Sequence, residues 1–157
     1  DDGKEEVGRG VFYTHDHQRK LIRKSLDQTR RDQLLAQYYR PRWQNLRAHA
    51  AGGILIDLHT YPAVPWPIER HAAGPRPEVD IGFTDGLTPP SWTTALSTHF
   101  KEHGYEVGHN SPYAGVIDAG ASAAVMIEIR RDIVGQPGAY QKWRHLIAAL
   151  STMPISM

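Results

Sequence analysis

A histidine at the end of one apolar run and a glutamate inside another are the residues of this chain whose settings point to chemistry. Gly52-Gly53 breaks the chain, and Ile54-Leu55-Ile56-Asp57-Leu58-His59-Thr60 follows before Tyr61-Pro62. This is the pattern of a buried parallel strand that delivers polar groups to the rim of a sheet. Side chains alternate along a strand, so Asp57 and His59 share a face at its carboxyl end, where ligands bind in open α/β sheets. A core strand whose last histidine is a polar cap has the same spacing. Glu128 lies within Val125-Met126-Ile127-Glu128-Ile129. A carboxylate in a buried strand is costly without a partner or a task, and burial raises its pKa toward the range of a general base working near neutrality. Pairing with Arg130 or Arg131 at the sheet end is the structural alternative. An imidazole, a carboxylate and the neutral donors of the loop around Asn110 and Tyr113 together suit metal-assisted hydrolysis. The imidazole holds zinc, zinc acidifies a water, and the carboxylate takes its proton.

The elements that must position these groups follow from periodicity and breakers. Val11 to Thr14 reads as a short strand, and Asp16 as the N-cap of a helix running toward Leu26. A second helix starts near Asp27 or Gln28, with Leu35, Tyr39 and Trp43 at four-residue steps and Leu34, Tyr38 and Leu46 beside them, a core-facing stripe. Pro41 should bend or split it, and Gly52-Gly53 should end it. After the His59 strand, a segment with Pro62, Pro65, Pro67, Pro75 and Pro77 has the character of a lid or specificity loop. Val79 to Phe83 reads as a strand, Thr84-Asp85-Gly86 as a turn, and Ser91 as the N-cap of a helix stopped by Gly104. Tyr105 to Gly108 is a strand ending at His109-Asn110, Ala123 to Arg130 a strongly apolar one, and Pro137 to Leu150 a closing helix with Trp143, Leu146, Ile147 and Leu150 as apolar positions. Strands alternating with helices imply an α/β fold with a mostly parallel sheet covered on both faces.

Composition narrows the function classes. The 157 residues suit one domain with a substantial core, and the formal net charge is +1. No basic stripe interleaved with aromatics occurs, so nucleic acid is a poor partner. The arginines from Arg19 to Arg47 are mixed with Asp27, Asp32 and glutamines, as on a solvated helix face. There is no cysteine, which excludes thiolate metal sites and nucleophiles and fits a reducing cytoplasm. No apolar run approaches the length of a membrane span, and the start does not resemble a signal peptide. The expected partner is a small molecule. The charged, glycine-rich stretch Asp1 to Gly10 reads as a loop or exposed end.

Asp57-Leu58-His59-Thr60, Asp80-Ile81-Gly82, Asn110-Ser111-Pro112-Tyr113-Ala114-Gly115 and Ile127-Glu128-Ile129-Arg130-Arg131, in this order and spacing, resemble the N-formylglutamate amidohydrolases. Tyr38-Tyr39-Arg40-Pro41-Arg42-Trp43 is similar to that family's tyrosine-proline helix. The motifs are weak singly and fairly specific as a set, and they run from about Tyr13 to Ile133. The resemblance implies a three-layer α/β fold akin to the zinc carboxypeptidases, with a mixed sheet between helices. It implies zinc as cofactor, His59 as the last zinc ligand, Glu128 as the general base, Asn110 and Tyr113 as substrate-contacting, and Arg131 as the arginine closing the family's Glu-x-Asn-Arg pattern. Strand alternation instead puts Arg130 on the face of Glu128, so both arginines are candidates for a substrate carboxylate. The chain departs from the pattern at Arg130, where asparagine is usual, and at Val116, where a second glycine is common; both point to a changed acyl group or acid.

The family's first two zinc ligands come from a Pro-His-Ser-Gly type segment ahead of the tyrosine-proline helix, and no such motif occurs here. His15, Asp16 and His17 sit where a helix start is expected, a place for capping and solvation rather than ligation. Either the chain, whose first residue is Asp1, lacks an N-terminal portion of the family fold, or the metal site is degraded. The other histidines, His49, His71, His99, His103, His109 and His145, show no ligand spacing beyond the helical step from His99 to His103. Asp57 could orient a neighbouring ligand or satisfy loop amides. The expected activity is a zinc-dependent amidohydrolase removing a formyl or similar small acyl group from an N-acyl amino acid. The alternatives are a non-catalytic relative binding a small anion, or a carboxypeptidase-type or aspartoacylase-type hydrolase.

Overall fold

The structure is a computed structural model in which residues 10–69, 76–134 and 140–155 are described, without the side chains of Tyr140 and Trp143. The expectations for Asp1 to Arg9, His71, Pro75, Pro137 and the Trp143 side chain lie outside these. The chain divides into two compact units, Asp1–Leu46 with Val64–Ala72 and Arg47–Ala63 with Ala73–Met157.

In the first unit, Val11 to Thr14 is not a strand and no helix follows Asp16. The Asp16 carboxylate instead accepts the amides of Gln18 and Lys20, both at 2.9 Å. Arg19 adopts the left-handed conformation, φ 66°, and His15 pairs with Leu21 in an antiparallel bridge. The aspartate that could have capped a helix closes a turn, because its oxygen reaches the amides of a reversing chain as readily as those of a helical turn. The Lys20 amide, first among several contacts, holds that carboxyl below its ordinary range.

Helix α1, Gln28–Leu34, starts where expected: Asp27 is its N-cap and accepts the Arg30 amide at 2.8 Å. Pro41 does not end the helical run, which changes from one helical form to another just before it. A π-helical turn over Leu35–Tyr39 leads into α2, Arg40–Ala50, with the Arg40 amide bonding the Leu35 carbonyl five residues back. The widened turn takes up the donor that proline lacks and the room its ring needs. The stripe is not a core face. Tyr38 and Tyr39 are 57% and 45% exposed, and Tyr39 stacks on Trp43 at 6.4 Å. Gly52, at φ 71°, turns the chain out of α2, as its lack of a Cβ permits.

The second unit holds a four-stranded sheet. Its strands are β1, Ile54–Tyr61; β2, Val79–Gly82; β3, Val107–His109; and β4, Ala123–Arg130. The order is β1-β4-β2-β3. β1 pairs parallel with β4 and β2 parallel with β3, whereas β2 runs antiparallel to β4. The protein is thus α/β, with a mixed, mostly parallel sheet flanked by helices. Helix α3 covers Pro90–Glu102, α4 Arg131–Val134 and α5 Tyr140–Ser151. Pro89, not Ser91, is the N-cap of α3, with no side-chain cap bond; Pro90 supplies the preset φ that starts a helix without one. The α4 turn was not expected.

One face of the sheet makes the core. Val79, Ile81, Val125, Ile127 and Ile129 pack with Trp92, Leu96 and Phe100 of α3, Ile133 of α4, and Leu146 and Ala149 of α5. Each such large side chain is worth roughly 1.5 to 3 kcal/mol when fully buried. Ile147, expected inward, is 46% exposed. β1 is less buried than its sequence suggests: Ile56 and Leu58 are 41% and 54% exposed. It is an edge strand bonded only to β4 among the described residues, and Ile54 is its residue that packs on the core. Two rings tie α3 to α5, His99 Nε2 donating to the Ala149 carbonyl and His145 Nε2 to the His103 carbonyl, each at 2.8 Å. Neither α5 nor any other helix among the described residues is long and apolar enough to cross a membrane.

Candidate active site

Alternation within β4 separates the two jobs of the sheet. Val125, Ile127 and Ile129 face α3 and α5, so Met126, Glu128 and Arg130 face the other way. Register then decides what stands beside Glu128. Its partner on β1 is His59 and its partner on β2 is Asp80. Residues opposite one another in a ladder share a face, so an imidazole and two carboxyl groups form a row across three strands. Asp57, two residues before His59, lies on the same face, as does Tyr61, two residues after.

The groups differ sharply in their surroundings. Glu128 is 6% exposed and Asp80 0%. His59 stands at the open end of the row, its side chain 50% exposed, and Nε2 donates to Asp57 Oδ1 at 2.6 Å. Tyr61 is buried, its hydroxyl donating to the Pro77 carbonyl and its ring edge-on to Tyr113 at 6.1 Å. Burial first, and the charge of Asp80 second, push the Tyr61 phenol upward.

Asp80 is a site residue that sequence reasoning passed over, although it carries the same signal as Glu128. A carboxylate between Val79 and Ile81 must face away from their core. Its Oδ2 accepts the Ser111 amide at 2.9 Å, while Oδ1 is buried with no hydrogen-bond partner among the described residues. Burial raises its pKa to about 7 from the ordinary 3.8; the Ser111 amide opposes that, the Glu128 charge adds to it, and the Tyr113 amide opposes it. The folded protein therefore retains a proton on Asp80 that the unfolded chain loses, and ionising it costs stability progressively as pH rises from about 4 to 7. Asp80→Asn lacks that loss. Its thermal stability relative to wild type is expected to improve between pH 4 and pH 8, by on the order of 4 kcal/mol, as measured by unfolding at both values. A difference that does not change with pH would show that Asp80 ionises in the fold as it does in the unfolded chain.

The loop after β3 is built around Asn110, which has φ 51°. Its Oδ1 accepts the amides of Phe83 and Gly115, both at 2.9 Å, and its Nδ2 donates to the Phe83 carbonyl at 3.2 Å. Expected to touch substrate, the Asn110 carboxamide is largely engaged in closing its own loop on the end of β2. Gly82 allows this approach, since a Cβ there would lie 2.6 Å from the Gly115 carbonyl and 2.3 Å from Met126 Cε. Tyr113 is half-buried against Tyr61 on the side of the row.

The two arginines part company at the end of β4. Arg130 faces the Glu128 side as alternation requires, but its guanidinium bonds Asp132 through Nε at 2.8 Å and the Arg76 carbonyl at 2.6 Å, with Glu78 at 3.6 Å. The Asp132 hydrogen bond, ahead of other contacts, holds the guanidinium pKa up. As a clamp for a substrate carboxylate Arg130 is thus mostly committed elsewhere. Arg131 begins α4, is exposed, and reaches Thr60 Oγ1 and the Thr60 carbonyl at 3.2 and 3.1 Å. His109 is outside the row: it pairs with Ile81, on the core side, and meets the Ser97 hydroxyl.

A zinc ion needs three or four protein ligands. His59 and the adjoining Asp57 are the ligand types at the open end of the row, and no group of three or more histidine, cysteine, aspartate or glutamate side chains that could hold a metal ion occurs among the described residues. These residues alone do not fit zinc.

The family model for N-formylglutamate amidohydrolase matches residues 2–134. The chain belongs to the N-formylglutamate amidohydrolase family. The fold agrees with a solved structure, that of N-formylglutamate amidohydrolase from Ralstonia eutropha JMP134, at a TM-score of 0.69 and 22% identity. That match covers 93% of this chain and 61% of the other, so the chain spans about three fifths of the length of that structure. The sequence matches none of the curated proteins. Within the family frame, the Asp57-Leu58-His59, Asp80-Ile81-Gly82 and Ile127-Glu128-Ile129 motifs are three neighbouring strands of one sheet, and their polar residues form the row.

Proposed function

We propose that this chain carries the general base and part of the substrate pocket of a hydrolase that cleaves the formyl group from an N-formyl amino acid, with N-formylglutamate as substrate. One observation supports this above others: a buried carboxylate, Glu128, stands between His59 and Asp80 on the sheet face that the core helices leave to polar groups. Membership of the family supplies the reaction class.

In this reading Glu128 takes a proton from water as the water oxygen bonds to the formyl carbon. Glu128 then returns the proton to the amide nitrogen as the carbon–nitrogen bond breaks, leaving formate and the free amine. Tyr113, half-buried against Tyr61, supplies aromatic surface beside the row. Arg131, exposed at the end of β4, binds a substrate carboxylate, for which a planar guanidinium is well shaped. Arg131→Ala should raise KM for N-formylglutamate by roughly tenfold to a hundredfold with a smaller change in kcat. Steady-state kinetics decide this, and an unchanged KM would move the clamp elsewhere.

Zinc belongs to the proposal with His59 as one ligand, but the described residues do not complete its coordination, and no step above is routed through it. The short ligand set favours a second reading, a relative that binds a small anion without catalysis. Zinc content of the full-length protein, together with assays on N-formyl, N-acetyl and peptide substrates side by side, separates the readings. Hydrolysis of N-formylglutamate in preference to the others supports the first. Binding of acyl amino acids without turnover supports the second, and preference for a peptide or N-acetyl substrate indicates a carboxypeptidase-type or aspartoacylase-type enzyme. A cytoplasmic location and a small-molecule partner complete the reading.

A further inference from the structure

Asp80 is fully buried, yet one of its oxygens has no hydrogen-bond partner among the described residues. The other accepts the Ser111 amide at 2.9 Å, in the loop between Asn110 and Tyr113. On its β4 side stands Glu128 and on its β3 side Gly108. The fit on that second side is close: a Cβ at position 108 would lie 3.3 Å from Asp80 Oδ1 and 2.4 Å from Pro77 Cγ. A carboxyl group so placed has no solvent to share and a fixed orientation. Were it needed only as packing, an apolar side chain would fill the space without the cost of burying polar oxygens.

We propose that Asp80 is a positioning residue for the reaction assigned above: by holding the Ser111 amide it fastens the loop of residues 110–113 to β2 and so sets where Tyr113 stands against Tyr61. The inference rests on Glu128 being the general base. Burial, with the Glu128 charge adding to it, raises the Asp80 pKa to about 7, so this carboxyl exchanges its proton near neutrality beside Glu128. The groups on this face are Asp57, His59 and Tyr61 from β1, Asp80 from β2, and Glu128 and Arg130 from β4, with Arg76 lying over the Tyr61 ring at 5.8 Å. Arg130 directs its charge to Asp132 and Glu78.

The test compares Asp80→Ala and Asp80→Asn in the full-length protein by amide hydrogen exchange over residues 108–116 and by kcat and KM on N-formylglutamate. Asparagine keeps an acceptor for the Ser111 amide and a neutral group in place of Oδ1; alanine keeps neither. Asp80→Ala is expected to accelerate exchange in this segment by about tenfold or more and to lower kcat/KM by about a hundredfold, the effect of a misplaced contact. Asp80→Asn is expected to restore protection and most of the lost kcat/KM. Should the alanine variant not fold, Asp80→Ser, whose hydroxyl is too short to reach the loop, takes its place. Unchanged exchange in the alanine or serine variant overturns the proposal, and so does an asparagine variant as impaired as alanine, because a charge would then be required. If the wild-type protein hydrolyses no acyl amino acid, the proposed function fails while the exchange measurement still decides whether Asp80 holds the loop.

Discussion

Glu128→Gln in the full-length protein is expected to lower kcat for N-formylglutamate by roughly a thousandfold, the scale of a lost general base, without loss of folding stability. Glutamine has the shape of glutamate but cannot accept and return a proton at neutral pH. The site is 6% exposed, so the wild-type carboxylate is held against the cost of burying charge. Replacing it with an amide of the same shape lowers that cost, and the melting temperature should stay equal or rise. A structural glutamate would behave in the opposite way, since an ion pair lost from a buried site destabilises strongly. Kinetics and thermal unfolding on the same preparation therefore separate the roles. A variant that keeps its turnover would remove Glu128 as the base, and one that loses both turnover and stability would make it a structural residue.

The row containing Glu128 was legible from sequence to the extent that it depends on alternation. A carboxylate flanked by Ile127 and Ile129, and a histidine two positions from an aspartate at the end of an apolar run, place their side chains by a period of two whatever the rest of the fold does. The same reasoning applies to Asp80 between Val79 and Ile81, but that strand has four residues, too few for periodicity to stand out. Alternation does not say which strands are neighbours. β4 follows β3 in the chain yet inserts between β1 and β2, and that crossover brings His59, Glu128 and Asp80 into one line. The antiparallel pairing of β2 with β4 was likewise invisible in a strand-helix alternation that reads as parallel.

Roles set by tertiary contacts were read less well. Asn110 has the composition of a recognition loop, and its carboxamide closes the loop on Phe83 and Gly115 instead. Arg130 is on the predicted face, but Asp132, two residues on, takes its guanidinium; an aspartate so close in sequence was a readable warning. Asp16 has the side chain of a helix cap and the setting of a turn, and only the left-handed Arg19 after it decides which. β1 has the composition of a buried strand and the place of an edge, so Ile56 and Leu58 remain exposed.

If His59 is a zinc ligand as proposed, His59→Ala should weaken zinc binding by the full-length protein by on the order of a hundredfold, with a matching loss of activity, because zinc takes only three or four ligands. The imidazole stands at the open end of the row, next to Glu128 in register, with Asp57 fixing its orientation. A cation at this point would compete with Asp57 for Nε2 or take Nδ1, and the carboxylates nearby would favour its charge. The competing account is a rim ion pair, a histidine and an aspartate two residues apart on one strand, half in water. Such exposed pairs contribute about 1 kcal/mol or less, so that account requires a small change in stability, unchanged metal content and unchanged turnover. Asp57→Asn sharpens the contrast. If Asp57 orients a ligand, the amide should weaken zinc binding by about tenfold while keeping the histidine in place, a loss between wild type and His59→Ala. If the pair is only a rim contact, neither variant moves the zinc content, and the strand-end histidine is a polar cap.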